Sequence, residues 1–302
     1  MQKVKDTIPV YDICSLSGDG HLHEDILAER FAAYLKVHPN LHRAHGHSFY
    51  HLVLFTKGAG FHTIDFERYP VAVGQMYCMI PGQVHSWEFE GEMDGYVVNF
   101  SEALFQSFLV DSRYLERFPF LSGSAAEHIV QLSPKALDQA VAVMEKIVAE
   151  YKSTEYLHKD MLRVQLLSLF ILASRIGDSD RRGDVTGNPN LLLLHNFRKL
   201  VNQYYSQYKL PKDYAAMLYI TPNHLNALCQ DLLGHSAGEV IRERILLEAK
   251  RQLVNVDTGI AGIAYNLGFT DNSYFTKFFK KYTGTTPEEF KRSLQASPSL
   301  KK

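Results

Sequence analysis

The chain has 302 residues, 46% of them hydrophobic, and a net charge of −1 from 32 basic and 33 acidic side chains. That length favours two domains over one, since single cores seldom grow past about 250 residues. Its three cysteines, Cys14, Cys78 and Cys229, are far apart and form no CxxC pair, which excludes a disulfide framework or a zinc finger and suits a reducing cytosol.

The N-terminal stretch MQKVKDTIPVYD is polar and unlike a signal peptide. The longest apolar runs, near Leu166–Ala173 and Leu191–Leu194, fall far short of a bilayer span. A soluble, cytoplasmic protein without membrane contact is expected.

Residues 8–110 have strand character. Phe49–Phe55 is aromatic and apolar, Lys57-Gly58-Ala59-Gly60 reads as a turn, and Phe61–Phe66 reads as the returning strand. Tyr69–Val73, Gln75–Ile80, Trp87–Glu90 and Tyr96–Phe100 follow, punctuated by Gly74 and Pro81-Gly82. Short strands at such spacing indicate a β-sandwich or small barrel.

The same region carries a histidine cluster. His45, His47 and His51 share parity, so one continuous strand would point them to one face. His85 follows the Pro81-Gly82 turn. The layout His45-x-His47, His51, Gly58 and Gly82-x-x-His85 resembles that of cupin barrels, with His51 where those place a glutamate. Three readings stand: a divalent-metal site of His45, His47, His51 and His85, an effector pocket without metal, and structural histidines. The pocket reading takes His45, His47, His51, Phe55, His85 and Trp87 as its lining, with Phe49, Tyr50 and Tyr77 as further aromatic candidates.

Residues 133–176 are expected to be helical. Pro134 opens one helix through Glu150, with an apolar stripe of Leu137, Val141, Met144 and Val148. Ser153 can start a second, apolar at Leu157, Met161, Val164, Leu167, Leu169, Phe170 and Ile171. The pair could cover the barrel, form a dimer seam, or both. Gly177–Asn190 is rich in charge and glycine with little apolar content, and reads as a linker. The expected domains are therefore 1–132, the helical segment 133–176, the linker 177–190 and a last domain 191–298.

Charge divides at the linker. Residues 1–187 carry 17 Lys+Arg against 24 Asp+Glu, and residues 188–302 carry 15 against 9. A polyanion would meet the C-terminal part.

That part holds a repeat. Ala215, Leu218, Ile220, Thr221 and Asn223 stand 49 positions before Ala264, Leu267, Phe269, Thr270 and Asn272. After one inserted residue Leu225, Leu228, Cys229 and Gly234 match Phe275, Phe278, Phe279 and Gly284 at 50. Each copy (212–233 and 260–283) reads as helix, turn, helix, the pattern that lays its second helix in a DNA major groove. Gly268 permits the second turn, and Thr270 or Asp271 caps the helix after it. Between the copies Ser236-x-x-Glu239 is a capping box opening a helix to about Val254.

Base and phosphate contacts are expected from Asn223, His224, Asn226 and Gln230 in the first copy. In the second, Asn272, Ser273 and Thr276 can reach bases, and Lys277, Lys280 and Lys281 suit phosphates. Arg198, Lys199, Lys212, Arg242 and Arg244 are further basic candidates.

Ile263-Ala264, Leu267-Gly268-Phe269, Asp271, Ser273-Tyr274-Phe275, Phe278-Phe279-Lys280-Lys281, Gly284, Thr286-Pro287 and Phe290 closely resemble the AraC/XylS family of bacterial transcription regulators. The resemblance spans about residues 190–295, and more loosely the N-terminal half. It implies a multidomain fold: a cupin-like N-terminal barrel or sandwich with flanking helices, and an all-α C-terminal domain with two helix-turn-helix motifs joined by a long helix. It further implies a sequence-specific regulator, more usually an activator, working as a homodimer on double-stranded promoter DNA. A small-molecule effector, a contact with RNA polymerase and the absence of a cofactor or catalytic residue complete that picture. The family commonly places basic residues where Ala227 and Gln230 stand here, a departure that weakens phosphate anchoring by the first copy. The competing reading is a metal-dependent cupin enzyme with a helical appendage.

Overall fold

The unbroken apolar run Leu52-Val53-Leu54-Phe55 dictates a strand with two covered faces, and the N-terminal unit is built around it. The computed structural model describes residues 8–16, 24–106, 108–109, 114–121, 129–177, 189–254 and 258–296. Two compact units divide near residue 180.

In chain order the first unit has β1 (Val10–Tyr11), α1 (Ile13–Leu16), β2 (Ile26–Arg30), α2 (Phe31–Val37), β3 (His45–His47), β4 (Tyr50–Ile64) and β5 (Glu67–Val71). Then come β6 (Gln75–Met79), β7 (Val84–Phe100), α3 (Ala103–Gln106), β8 (Ile129–Gln131), α4 (Pro134–Tyr151) and α5 (His158–Gly177). They form an eight-stranded sheet of order β1-β3-β7-β4-β6-β8, with β2 also on β7 and β5 also on β4.

The turn expected at Lys57–Gly60 does not exist. Those residues lie inside β4, and the segments 87–90 and 96–100 belong to one strand, β7. The cause is a pair of register shifts, between Phe55 and Lys57 and between Lys57 and Ala59. Bulges of this kind bend a ribbon without ending it. Bare glycine lets the paired backbones close up there: a Cβ on Gly60 would stand 2.2 Å from the Glu88 carbonyl oxygen, and one on Gly95 2.0 Å from that of Leu54. The reversal comes later, at Asp65-Phe66, both at positive φ (49° and 77°), the backbone of a two-residue hairpin turn.

The bend is large. His51 pairs with Asn99 and Ile64 pairs with His85, at opposite ends of the β4–β7 ribbon. Fourteen residues of straight strand would separate those ends by about 46 Å. The His51 and His85 rings are 5.2 Å apart. The ribbon therefore folds back on itself, giving the expected barrel-like closure.

Parity sorts the side chains into two cores. Leu52, Leu54, Met76, Tyr96, Val98 and Phe100 face α4 and α5. Val53, Phe55, Tyr77, Met79, Trp87 and Val97 face inward with Phe31 and Tyr34 of α2. Against α4's expected stripe, the buried positions are Ala136, Ala140, Met144 and Ile147. Leu137, Val141 and Val148 lie only partly buried beside them. The second helix starts at His158 and not at Ser153. Its apolar arc is split: Leu162, Leu166, Leu169, Phe170 and Ala173 are buried, while Leu157, Met161, Val164 and Ile171 are exposed.

Most of the linker expected at 177–190 lies outside the described residues, and its last two residues already open α6 (Pro189–Tyr204). The second unit continues with α7 (Pro211–Met217), α8 (Pro222–Leu233), α9 (Ala237–Val254), α10 (Ile260–Asn266), α11 (Asn272–Thr283) and α12 (Pro287–Ala296). Ala237, Ile241, Ile245, Ala249 and Leu253 repeat every fourth residue of α9 and are buried in one core with Phe197, Tyr214, Leu225, Ile263, Phe275 and Phe279. Every other helix of the unit packs on that spine. No described helix is long and apolar enough to cross a membrane.

Candidate functional site

The inner end of the folded ribbon gathers the histidines. His45 and His47 come from β3, His51 from the start of β4, and His85 from the start of β7. No single strand carries the first three, yet all four are almost completely buried. One nitrogen from each of His45, His47 and His85 lies within 4.8 Å of the others. His47 Nε2 stands 2.7 Å from His85 Nε2. The His47 and His51 rings stack at 4.8 Å.

Outer partners fix how the rings point. His45 Nδ1 lies 2.7 Å from the Arg43 carbonyl oxygen, which can only accept, so this nitrogen carries the proton. His51 Nδ1 donates in the same way to Asn99 Oδ1 at 2.7 Å, and Asn99 Nδ2 donates to Tyr34 Oη at 3.3 Å. His85 Nδ1 meets His62 Nε2 at 2.9 Å. Two buried nitrogens of these rings have no protein partner: His47 Nδ1 and His51 Nε2.

Burial holds these imidazoles neutral, because a charged ring would lose its hydration. It pushes His45 down to about 4 and His51 down to about 3. His47 and His85 also lie well below the usual histidine range, burial again being the main cause and the neighbouring histidines adding to it. At neutral pH the centre is a set of lone pairs and N–H groups without net charge.

The two aromatic candidates of the expected lining lie in the inner core. Phe55 and Trp87 are buried with ring centroids 5.4 Å apart. Three contributors were not foreseen. His62 stacks on Trp87 at 3.3 Å, and its place on the inner face follows from the bulges, which reset the parity of β4. Asn99 left one faint signal, a polar residue in the apolar run Tyr96–Phe100. Tyr34 left none. Among the other aromatic candidates, Phe49 and Tyr77 join the inner core, whereas Tyr50 packs on the outer one.

In the second unit the repeat extends to the hydrogen bonds. Leu218 and Leu267 end α7 and α10 with nearly the same backbone (φ −91° and −83°). Tyr219 and Gly268 then take positive φ, 56° and 71°. Ile220 N donates to Ala215 O and Phe269 N to Ala264 O. Thr221 caps α8 and Asp271 caps α11, each through its side-chain oxygen. Gly234 and Gly284 close both helices in the left-handed conformation. The capping box at Ser236-Glu239 has a counterpart, Thr286-Glu289, opening α12.

Asn223, His224 and Gln230 are exposed on α8, and Asn272, Ser273, Lys277, Lys280 and Lys281 on α11, with Thr276 half-buried. Asn226 is different. Its Oδ1 accepts from Ala237 N at 3.0 Å, tying α8 to the start of α9. Gln230 spends an amide proton on Gly234 O at 3.1 Å. Of the auxiliary basic residues, Arg244 is held by Glu248 and Asn202, both at 3.0 Å, so it braces the core.

Comparison with known proteins gives matches in both units. The family described as "AraC-like ligand binding domain" matches residues 33–178, and the "Helix-turn-helix domain" family matches 214–293. The HTH-type transcriptional activator RhaR of Yersinia pestis bv. Antiqua (strain Angola) is 22% identical over 260 residues, 85% of this chain and 87% of that one. The probable transcription factor PqrA of Proteus vulgaris is 40% identical over 70 residues, 23% of this chain and 57% of that one. Among solved structures, ToxT of Vibrio cholerae aligns over 89% of this chain and 98% of its own at 13% identity, with a TM-score of 0.43.

Proposed function

Because the chain belongs to the AraC family of transcription regulators, we propose that it binds promoter DNA through α8 and α11 under the control of a ligand in the folded ribbon of its first unit. The observation that carries the DNA reading is the doubled turn: two helices of 12 residues, capped and closed alike, each exposing a polar face. The spine α9 has 18 residues, about 27 Å at 1.5 Å per residue. That length suits two recognition helices spaced near one duplex turn, about 34 Å. Lys277, Lys280 and Lys281 make α11 the phosphate anchor. Asn223 and His224 leave α8 the better placed for base edges. Asn226, occupied at α9, contributes only its amide protons.

The ligand-binding reading rests on the buried polar centre and its aromatic wall. A ligand there controls transcription only by favouring one arrangement of the regulator by a few kcal/mol. Activation is the role in the name of RhaR, and it is the sign proposed here, with a contact to RNA polymerase as its means. Homodimerisation is proposed along α5, whose exposed positions Met161, Val164, Ser168, Ile171 and Arg175 alternate in steps of three and four. That alternation is the seam spacing of paired helices.

The test is duplex binding by the full chain, followed by fluorescence anisotropy across a salt series. Affinity should fall steeply with salt. Lys280→Ala should weaken every duplex and flatten the log–log slope by about one. Asn223→Ala should instead narrow the gap between preferred and random sequence. Binding that ignored salt and both substitutions would refute the assignment.

A further inference from the structure

We propose that His45, His47 and His85 bind one divalent transition-metal ion, with His51 as its fourth protein ligand. This deepens the reading of the first unit as a ligand-binding domain by naming the class of ligand. It does not depend on what the second unit does with DNA.

Four observations carry it. The donor set is imidazole alone, which suits zinc, copper, nickel or iron over magnesium or calcium. Spacing fits as well. Bonds of about 2.0–2.1 Å at tetrahedral angles put ligand nitrogens about 3.3 Å apart. The His47–His85 pair at 2.7 Å and the 4.8 Å limit for the trio lie on either side of that value.

An outer shell is in place for three of the four rings. Metal-bound histidines give their second N–H to a carbonyl, carboxylate or similar acceptor, which orients the ring and directs a lone pair at the ion. His45 does so to Arg43 O, and His51 to Asn99 Oδ1, itself braced by Tyr34. His62 Nε2 stands in that position behind His85.

The last observation is the His51 Nε2 lone pair. With Nδ1 protonated toward Asn99, Nε2 is an acceptor, fully buried and without a partner. A buried polar atom left unpaired costs about 1–3 kcal/mol. An ion among these rings would satisfy it together with the inward nitrogens of the other three.

The chain's single tryptophan reports on this place. Trp87 stacks on His62, and its ring lies 5.7 Å from that of His85. The experiment titrates the full-length, metal-stripped chain with cobalt(II), then with zinc(II) in competition. One equivalent of cobalt should quench Trp87 and produce the visible absorption of a four-coordinate site. One equivalent of zinc should abolish both.

His85→Gln removes a ligand and should weaken binding by at least about 100-fold. Asn99→Ala leaves every ligand in place and should weaken it about 10- to 100-fold through loss of ring orientation. His195→Ala, at an exposed position of α6, should leave the metal titration unchanged. Circular dichroism of each variant checks folding, and the wild-type titration decides even if a variant unfolds. Cobalt bound without quenching of Trp87, or bound equally by the His85 and Asn99 variants, would place the ion on surface histidines and overturn the proposal. So would the absence of a one-equivalent endpoint. A sugar or organic acid that shifts Trp87 while cobalt does not would equally refute it. Duplex affinity of the same preparations is measured separately, so loss of DNA binding would count against α8 and α11 alone.

Discussion

Tyr219 and Gly268 occupy one backbone position in two copies of a turn, and only one of them has room for a side chain. A Cβ on Gly268 would stand 1.9 Å from the Ser206 carbonyl oxygen. Tyr219, at the same positive φ, is 96% exposed. Gly268→Ala should therefore destabilise the second unit by at least about 2 kcal/mol, since strain and a backbone clash act together. Tyr219→Gly relieves a left-handed residue whose strain is about 1–2 kcal/mol and loosens the unfolded chain in exchange, so it should be neutral or stabilising by up to about 1 kcal/mol. Thermal melts followed by far-ultraviolet circular dichroism decide. Equal losses at both positions would contradict the asymmetry. At this scale the sequence was legible where a residue type has one use, as with Gly268, or with Asp271 as one of two candidate caps. Tyr34 stayed invisible and Asn99 nearly so, because their role exists only through His51, a partner that long-range closure brings.

Elements were legible wherever one periodicity ran unbroken. In the second unit α9 and α11 open where their caps place them. β4 and β7 did not, because glycines that usually mark turns serve there as bulges, and composition alone does not distinguish the two. The α5 helix shows the other limit. Its wide apolar arc could not be divided from the sequence, whereas the fold buries one half against the sheet and leaves a seam of Met161, Val164 and Ile171 in solvent. Met161→Glu with Val164→Glu puts like charges on both sides of the proposed seam. The pair should convert a dimer to monomer in sedimentation velocity while leaving the melting curve of each unit nearly unchanged. Wild-type chain that sediments as a monomer at micromolar concentration would remove the seam from the account.

For the whole molecule, the buried histidines make the stability of the first unit a function of pH. The metal-free fold keeps His45 and His51 neutral down to about 4 and about 3, whereas in the unfolded chain they take up protons near 6.5. Below 6.5 the unfolded state thus binds more protons, and stability falls with pH until the folded values are reached. Each such group removes about 1.4 kcal/mol per pH unit in that window. The urea midpoint read at Trp87 should be flat above about pH 7 and drop steeply toward pH 4. The second unit, whose His195, His224 and His235 are all exposed, should show no comparable slope in the same range. Parallel acid profiles for the two units would show that histidine burial is not the cause. The opposite charge balance of the two halves was plain from the sequence, but this difference in acid response was not, because it depends on which histidines lose their water.

The fold-back of the β4–β7 ribbon has a kinetic side. His45, His51, His85 and Asn99 meet only after more than fifty residues of chain have been closed into a loop, so their contacts have high sequence separation and form slowly. The centre is thus a late product of folding, completed when Tyr96–Phe100 docks beside the start of β4. On a ribosome it could not exist until β7 had emerged whole. A chain cut before Asn99 would retain all the clustered histidines and still lack the assembled centre.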